Sequence, residues 1–181
     1  MDIMDIAIAK ALSGGGGGGD DSFAKLVDRS IVNAVIPNGV TGIGEYAFRT
    51  CTSLKSVTFP SSLTSIGNHA FYGCTSLEQI IVPEGVTQIG ENAFRNTYSK
   101  LVYVDLPSTL TDIGSSAFSN AMTSTDDSPT MICRAINPPT ASSASFTNLV
   151  ATIYVPAGSV DAYKAAAGWS SKSSKIQAIP T

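Results

Sequence analysis

The stretch Phe59-Pro60-Ser61-Ser62-Leu63-Thr64-Ser65-Ile66-Gly67-Asn68-His69-Ala70-Phe71 returns 23 residues later as Val82-Pro83-Glu84-Gly85-Val86-Thr87-Gln88-Ile89-Gly90-Glu91-Asn92-Ala93-Phe94. Working outward from this pair, Pro37 to Pro60 is again 23 residues and Pro83 to Pro107 is 24. A fixed period in the twenties signals one supersecondary unit stacked on itself, because a unit this short cannot bury its apolar side alone. The expected architecture is a solenoid, a form better suited to holding a partner than to reacting with one.

Each unit divides into two halves. The first half reads Leu54-Lys55-Ser56-Val57-Thr58-Phe59, with further copies at residues 31–36, 77–82 and 101–106. Apolar residues fall at its first, fourth and sixth positions, the L-x-x-L-x-L strand of a leucine-rich repeat. The proline that follows has no backbone donor and ends the ladder. In the second half Val40, Leu63, Val86 and Leu110 are expected inside, with Ile43, Ile66, Ile89 and Ile113. Gly44, Gly67, Gly90 and Gly114 mark a bend that excludes a side chain or requires positive φ. Phe48, Phe71, Phe94 and Phe118 are predicted to stack as one column.

The 181 residues are 43% apolar and only 14% charged, low for a soluble protein, with Gly, Ser and Thr filling exposed positions instead. A net charge of −3 and the lack of any Lys/Arg run argue against a nucleic-acid partner. No stretch reaches the ~18 apolar residues of a membrane span. Cys51 and Cys74 occupy one slot in adjacent coils, with Thr97 next, which suits buried thiols in a packing column better than a disulfide or metal site.

Residues 1–12 carry Ile3, Met4, Ile6, Ile8 and Leu12 among polar residues and read as an apolar anchor peptide. Residues 13–19, Ser13 and six glycines, read as a flexible tether. Residues 20–30 are expected to form a helical N-terminal cap, residues 31–120 the regular repeats, and 121–181 degenerate units with a C-terminal cap. Degenerate strands are expected around Met131-Ile132-Cys133 and at residues 151–156. Ser159 is expected to cap a helix from about Val160 to Ala167, closed by Gly168, with Trp169 sealing the last coil and residues 176–179 forming a closing strand.

The string P-x-x-V/L-x-x-I-G-x-x-A-F-x-x-C-x-S-L resembles the BspA-like, or Treponema-type, leucine-rich repeat over residues 31–156. Ile153-Tyr154-Val155-Pro156-Ala157-Gly158-Ser159-Val160-Asp161-Ala162-Tyr163-Lys164 is similar to that family's C-terminal cap. The resemblance implies an α/β leucine-rich-repeat solenoid of about four 23-residue repeats plus degenerate C-terminal units, strands on its concave face. It also implies a surface adhesin without catalytic residues. Family members on cell surfaces usually carry a signal peptide, whereas Met1-Asp2-Ile3-Met4-Asp5-Ile6 is acidic where a secretory leader is positively charged. Ile6-Ala7-Ile8-Ala9-Lys10-Ala11-Leu12 followed by glycines is similar to short leaders on phage and prophage structural proteins. The expected location is thus a virion or an extracellular surface, after synthesis in the cytoplasm.

Catalysis is not expected. The single histidine, His69, shares its slot with Tyr46, Asn92 and Ser116, a variable position expected to be solvated. Glu45 and Glu91 stand two coils apart, Asp126-Asp127 is a solvated loop pair, and the glycine run lacks the Lys-Ser/Thr signature of a phosphate loop. No cofactor and no metal are implied.

Binding is expected on strand positions two, three and five, outside the core. Lys55, Glu78, Gln79, Ile81, Val102, Tyr103, Asp105, Thr152 and Tyr154 form the candidate surface, more apolar and aromatic toward the C-terminal end. The partners expected are a cell-surface glycan or protein, and a larger assembly or virion docked through residues 1–12. Homo-oligomerisation is compatible with that attachment. The alternative is a decoration or spacer subunit of a phage particle docked through the same peptide.

Overall fold

The computed structural model describes residues 30–181. The anchor, the tether and the N-terminal cap helix expected from the sequence lie outside these residues. Each coil has three sides. The first carries β1 (Asn33–Val35), β3 (Ser56–Thr58), β5 (Gln79–Ile81), β7 (Tyr103–Leu106), β9 (Thr130–Cys133), β10 (Thr152–Val155) and β11 (Ile176–Ala178). All their pairings are parallel, Asn33 facing Ser56 and Gln79 facing Tyr103. The β3–β5 junction is carried by the Glu78 N–H donating to the Lys55 carbonyl at 3.0 Å. The second side is a narrower parallel sheet of β2 (Gly42–Ile43), β4 (Ser65–Ile66), β6 (Gln88–Ile89) and β8 (Asp112–Ile113).

The third side has no strands, yet it is laddered as well. The N–H groups of Tyr46, Phe48 and Thr50 donate to the carbonyls of Asn68, Ala70 and Tyr72 in the next coil at 3.0, 2.7 and 2.7 Å. The intervening N–H groups of Ala47, Arg49 and Cys51 donate back within the coil, to Gly44, Tyr46 and Phe48. Every one of these turn donors is thereby satisfied, as burial against a neighbouring coil demands. Tyr46 and Thr50 have φ of 60° and 56°, and left-handed residues recur in the same slots of the following coils, among them His69, Asn92, Asn96, Ser116 and Asn120. Left-handed residues four apart, as at Tyr46 and Thr50, bracket the turn in which alternate N–H groups point to the next coil.

Of the two reasons the sequence offers for the recurring glycine bend, the structure bears out the first, exclusion of a side chain. Gly67, Gly90 and Gly114 are not left-handed. A Cβ at Gly90 would lie 2.6 Å from Asn68 N and Gly67 C, and one at Gly114 would lie 2.5 Å from Glu91 N. Glycine is needed there because the coils touch backbone to backbone. The left-handed residue comes two positions later.

The predicted phenylalanine column is present. Phe48, Phe71, Phe94 and Phe118 are buried, their ring centroids 5.1, 5.2 and 5.3 Å apart and their planes within 13° of parallel. Phe146 extends the column at 6.3 Å and Trp169 ends it at 4.6 Å. Burial of each ring contributes on the order of 1.5–3 kcal/mol. Cys51, Cys74 and Cys133 are buried thiols, and Thr97 fills the next slot of the Cys51–Cys74 column by donating to the Phe94 carbonyl at 3.1 Å. Burial raises the Cys74 thiol far above its ordinary pKa, and Cys133 to about 11, so neither is a reactive thiolate.

Helix is scarcer than an α/β class suggests. Among the described residues one α-helix occurs, α1 (Val160–Ala165), with short 3-10 segments at Ser143–Phe146, Ala157–Ser159 and Ser170–Lys175. It stops two residues short of the expected Ala167, its C-cap is Ala166, and Ser159 makes no side-chain capping bond. Gly168, beyond the C-cap, is left-handed (φ 81°), and a Cβ there would collide with the Ala141 carbonyl, so glycine is required on both counts. Trp169 does seal the end, its indole N–H donating to the Pro139 carbonyl at 2.8 Å while Tyr163 packs edge-on at 4.9 Å. Beyond Trp169, β11 adds the closing strand, Ile176 pairing with Ile153.

Candidate functional site

A parallel strand turns alternate side chains to opposite faces, so the outer positions of successive strands line up as rows across the larger sheet. One row runs Asn33–Ser56 in the first two strands, then Gln79, Tyr103, Thr130 and Thr152. The other runs Val35–Thr58, then Ile81, Asp105, Ile132, Tyr154 and Gln177. Lys55, Glu78 and Val102 stand one position before these strands. Lys55, Glu78, Gln79 and Ile81 are exposed, whereas Val102, Tyr103, Asp105, Thr152 and Tyr154 are half-buried. The structure therefore brings the nine residues onto one surface, in two environments.

The N-terminal portion of that surface is loosely held. Lys55 Nζ and Glu78 Oε1 are 3.9 Å apart with both side chains more than half exposed, a pair whose contribution is near zero. Ser56 donates to Asn33 Oδ1 at 2.7 Å. Val35, 69% exposed, and Ile81, 54% exposed, are isolated apolar positions there.

The C-terminal portion is organised by one charged node. Arg134 grips Asp105 with both arms, Nε to Oδ1 at 2.8 Å and Nη2 to Oδ2 at 2.7 Å. The Tyr103 hydroxyl donates to the same Oδ2 at 3.3 Å. The Asp105 bonds and charge hold the Arg134 pKa above its ordinary value. Partial burial, then the Asp105 charge, raise the Tyr103 phenol, so it stays a neutral donor. A bidentate pair is stronger and more directional than a single exposed contact, so this group presents a fixed pattern. Tyr154 lies two strands from Tyr103, roughly 10 Å at the usual ~4.8 Å strand spacing, with Ile132 between Asp105 and Tyr154 in the second row.

Ile132 and Arg134 are the residues that sequence reading missed. The signal for Ile132 was available, since Met131 and Cys133 alternate inward around it. Arg134 was harder to find: it follows the strand in the place held by Pro37, Pro60, Pro83 and Pro107 in the regular units. Unlike proline it donates its N–H, to the Leu106 carbonyl at 3.0 Å.

His69 is not the solvated side chain expected. It is half-buried, its ring 4.9 Å from Tyr46 and 5.8 Å from Tyr72, and its Nδ1 is buried without a hydrogen-bond partner. Asp127 accepts from the Ser124 hydroxyl at 2.8 Å and Asp126 from Thr125 at 3.2 Å. Among the described residues no three or more His, Cys, Asp or Glu side chains gather as a metal site, and no helix is long and apolar enough to cross a membrane. A cleft of about 390 Å³ lies between Ser108–Thr111 and Ala135–Pro138, next to the Asp105–Arg134 node. Half of its lining residues are polar, Ser108, Thr109, Thr111 and Asn137, and half are apolar, including the exposed Ile136, and it holds no nucleophile–base pair.

The family model described as a BspA type leucine rich repeat region matches residues 19–131, in six copies. None of the curated proteins compared with the chain matches it.

Proposed function

Because the chain belongs to the BspA type leucine-rich repeat family, whose repeats generally serve as non-catalytic binding modules, we propose that it is a recognition module reading a cell-surface glycan or protein through the outer face of its larger sheet. The observation that carries this reading is the Tyr103–Asp105–Arg134 node beside Ile132 and Tyr154. Tyr and Arg are the side chains that most often dominate binding energy, and here they are fixed before a ligand arrives. They stand on paired parallel strands, where little conformational entropy remains to be lost. Gln79 and Thr152 border the node with further hydrogen-bonding groups.

Attachment to a virion or another larger assembly belongs to the same proposal. It rests on Ile3, Met4, Ile6, Ile8 and Leu12, set off from the solenoid by Gly14 to Gly19.

The test is saturable binding of the labelled full-length chain to a panel of intact bacterial cells, beside a Tyr103→Asp/Tyr154→Asp double variant. Saturable binding that drops at least tenfold in the variant is expected. Absence of binding across the panel, or full binding by the variant, refutes the proposal.

A further inference from the structure

The turn side of the solenoid carries a second concentration of chemistry, on the face with no strands. Two of its slots hold Tyr46, His69, Asn92 and Ser116, and Arg49, Tyr72, Arg95 and Ser119, in successive coils. Rings and guanidinium groups fill both slots in the first two coils, Asn92 and Arg95 fill them in the third, and serine fills both in the fourth. Tyr46, His69 and Tyr72 form a run of rings at 4.9 and 5.8 Å, and the Arg49 guanidinium lies 5.3 Å from the Tyr46 ring and 5.7 Å from the Tyr72 ring.

One of these rings, Tyr46, stands in a backbone conformation that disfavours it. The 46/69/92/116 slot is left-handed in every coil, with φ of 60°, 55°, 54° and 56°. Asparagine suits that conformation, as Asn92 shows, whereas a bulky tyrosine is an outlier there. Tyr46 accepts local strain that asparagine would relieve, and strained positions of this kind concentrate at functional sites. The two arginines also lack an acidic partner. The ion pairs found among the described residues are Lys55–Glu78 and Arg134–Asp105, so neither Arg49 nor Arg95 has a carboxylate. Arg95 reaches only Asn92 Oδ1, at 3.1 Å, and its Nε is buried without a partner.

We propose that this patch is a second binding surface, for an acidic polysaccharide in which carboxylate-bearing and neutral sugars alternate. The half-buried rings of Tyr46, His69 and Tyr72, packed on one another and against Arg49, offer an apolar surface to sugar rings, and the guanidinium forks match carboxylates. Arg49 and Arg95 share one slot two coils apart, roughly 10 Å at ~4.8 Å per coil, with Tyr72 between them. The sequence of groups along the axis is cation, ring, cation. The preceding slot supplies Glu45, Asn68 and Glu91, all exposed, as acceptors for sugar hydroxyls. Those two carboxylates repel any polyanion, and most strongly one whose charges are closely spaced, such as a nucleic acid or polyphosphate.

Affinity electrophoresis of the full-length chain through gels containing hyaluronate, dextran or inorganic polyphosphate tests this. Retardation by hyaluronate alone is expected, weakening as salt is raised. Arg49→Gln, which removes an exposed guanidinium resting on two rings, should weaken it at least tenfold with at most a small loss of melting temperature. Tyr46→Asn should weaken it at least fivefold while raising the melting temperature, a combination that a purely structural tyrosine would not produce. Absence of hyaluronate retardation, equal retardation by dextran or polyphosphate, or unchanged binding in either variant overturns the proposal. A Tyr46→Asn chain that melts lower overturns its strain premise.

Discussion

Between Ile31 and Asn120 the solenoid repeats every 23 or 24 residues, whereas the next unit takes 28 to cover the same ground, as Asn120 bonding to Asn148 and Asp112 to Thr140 show. The cross-section nevertheless stays the same. Phe146 stacks on Phe118, Thr140 bridges to the narrow sheet beside Asp112, and Asn148 continues the ladder from Asn96 through Asn120. The extra residues are absorbed mainly in the polar segment from Ala121 to Pro129, so Tyr103 meets Thr130 at a spacing of 27. What a solenoid preserves is the contact between coils, and chain length can change wherever a loop stands outside those contacts. The Tyr103–Asp105–Arg134 node proposed for binding sits at this seam: Arg134 replaces the proline of the regular units, and its partner Asp105 belongs to the last of them.

The largest expected effect breaks the column that the two regions share. Phe94→Ala leaves a hole between Phe71 and Phe118, rings at 5.2 and 5.3 Å that cannot close in, and should cost about 3–5 kcal/mol. Trp169→Ala should remove as much packing but loosen the C-terminal unit first, because a terminal coil has a neighbour on one side only. The chain has a single tryptophan, so in Phe94→Ala its fluorescence reports that unit while circular dichroism reports the whole. Urea transitions by the two probes should coincide in the wild type. In Trp169→Ala, the circular dichroism transition should broaden toward low urea. A sharp single transition there would show that the two regions fold as one body.

A smaller effect separates coil contact from loop conformation. Gly90→Ala drives a Cβ into the backbone of the preceding coil and should cost about 1–3 kcal/mol. Gly158→Ala, with open space around its Cβ, should be neutral or stabilising by up to about 1 kcal/mol. Equal melting temperatures for the two variants would contradict the backbone-to-backbone account of the repeat glycines.

The smallest effect is electrostatic. Bonds from the Ser108 N–H and hydroxyl hold the Glu84 carboxyl below its ordinary pKa, and bonds from Thr111 and Thr140 do so for Asp112. A carboxyl depressed on folding stabilises above its unfolded pKa, and that stability is lost as pH falls through the folded value. Stability should therefore decline between about pH 5 and 3, by under ~1 kcal/mol from these two exposed groups together. In a Glu84→Gln/Asp112→Asn chain the decline should be shallower. An identical pH profile in thermal melts would remove both contacts from the account.

The sequence by itself determined the repeat, its core columns and the strand positions that face outward. Those properties are periodic, and burial imposes the same demand on every coil. It also marked Tyr103, Asp105 and Tyr154, since an outward position in one strand implies the same position in the next. Only the tertiary structure decided how those residues combine. Arg134 reaches Asp105 across 29 positions of chain, and no local pattern announces a bidentate pair formed by a residue that has taken a proline's place. The same holds on the turn side, where left-handed φ at Tyr46 and His69 follows from hydrogen bonds between coils rather than from the residues' own preferences. Periodic burial is written in residue type and spacing, but pairwise side-chain geometry exists only once the coils are stacked.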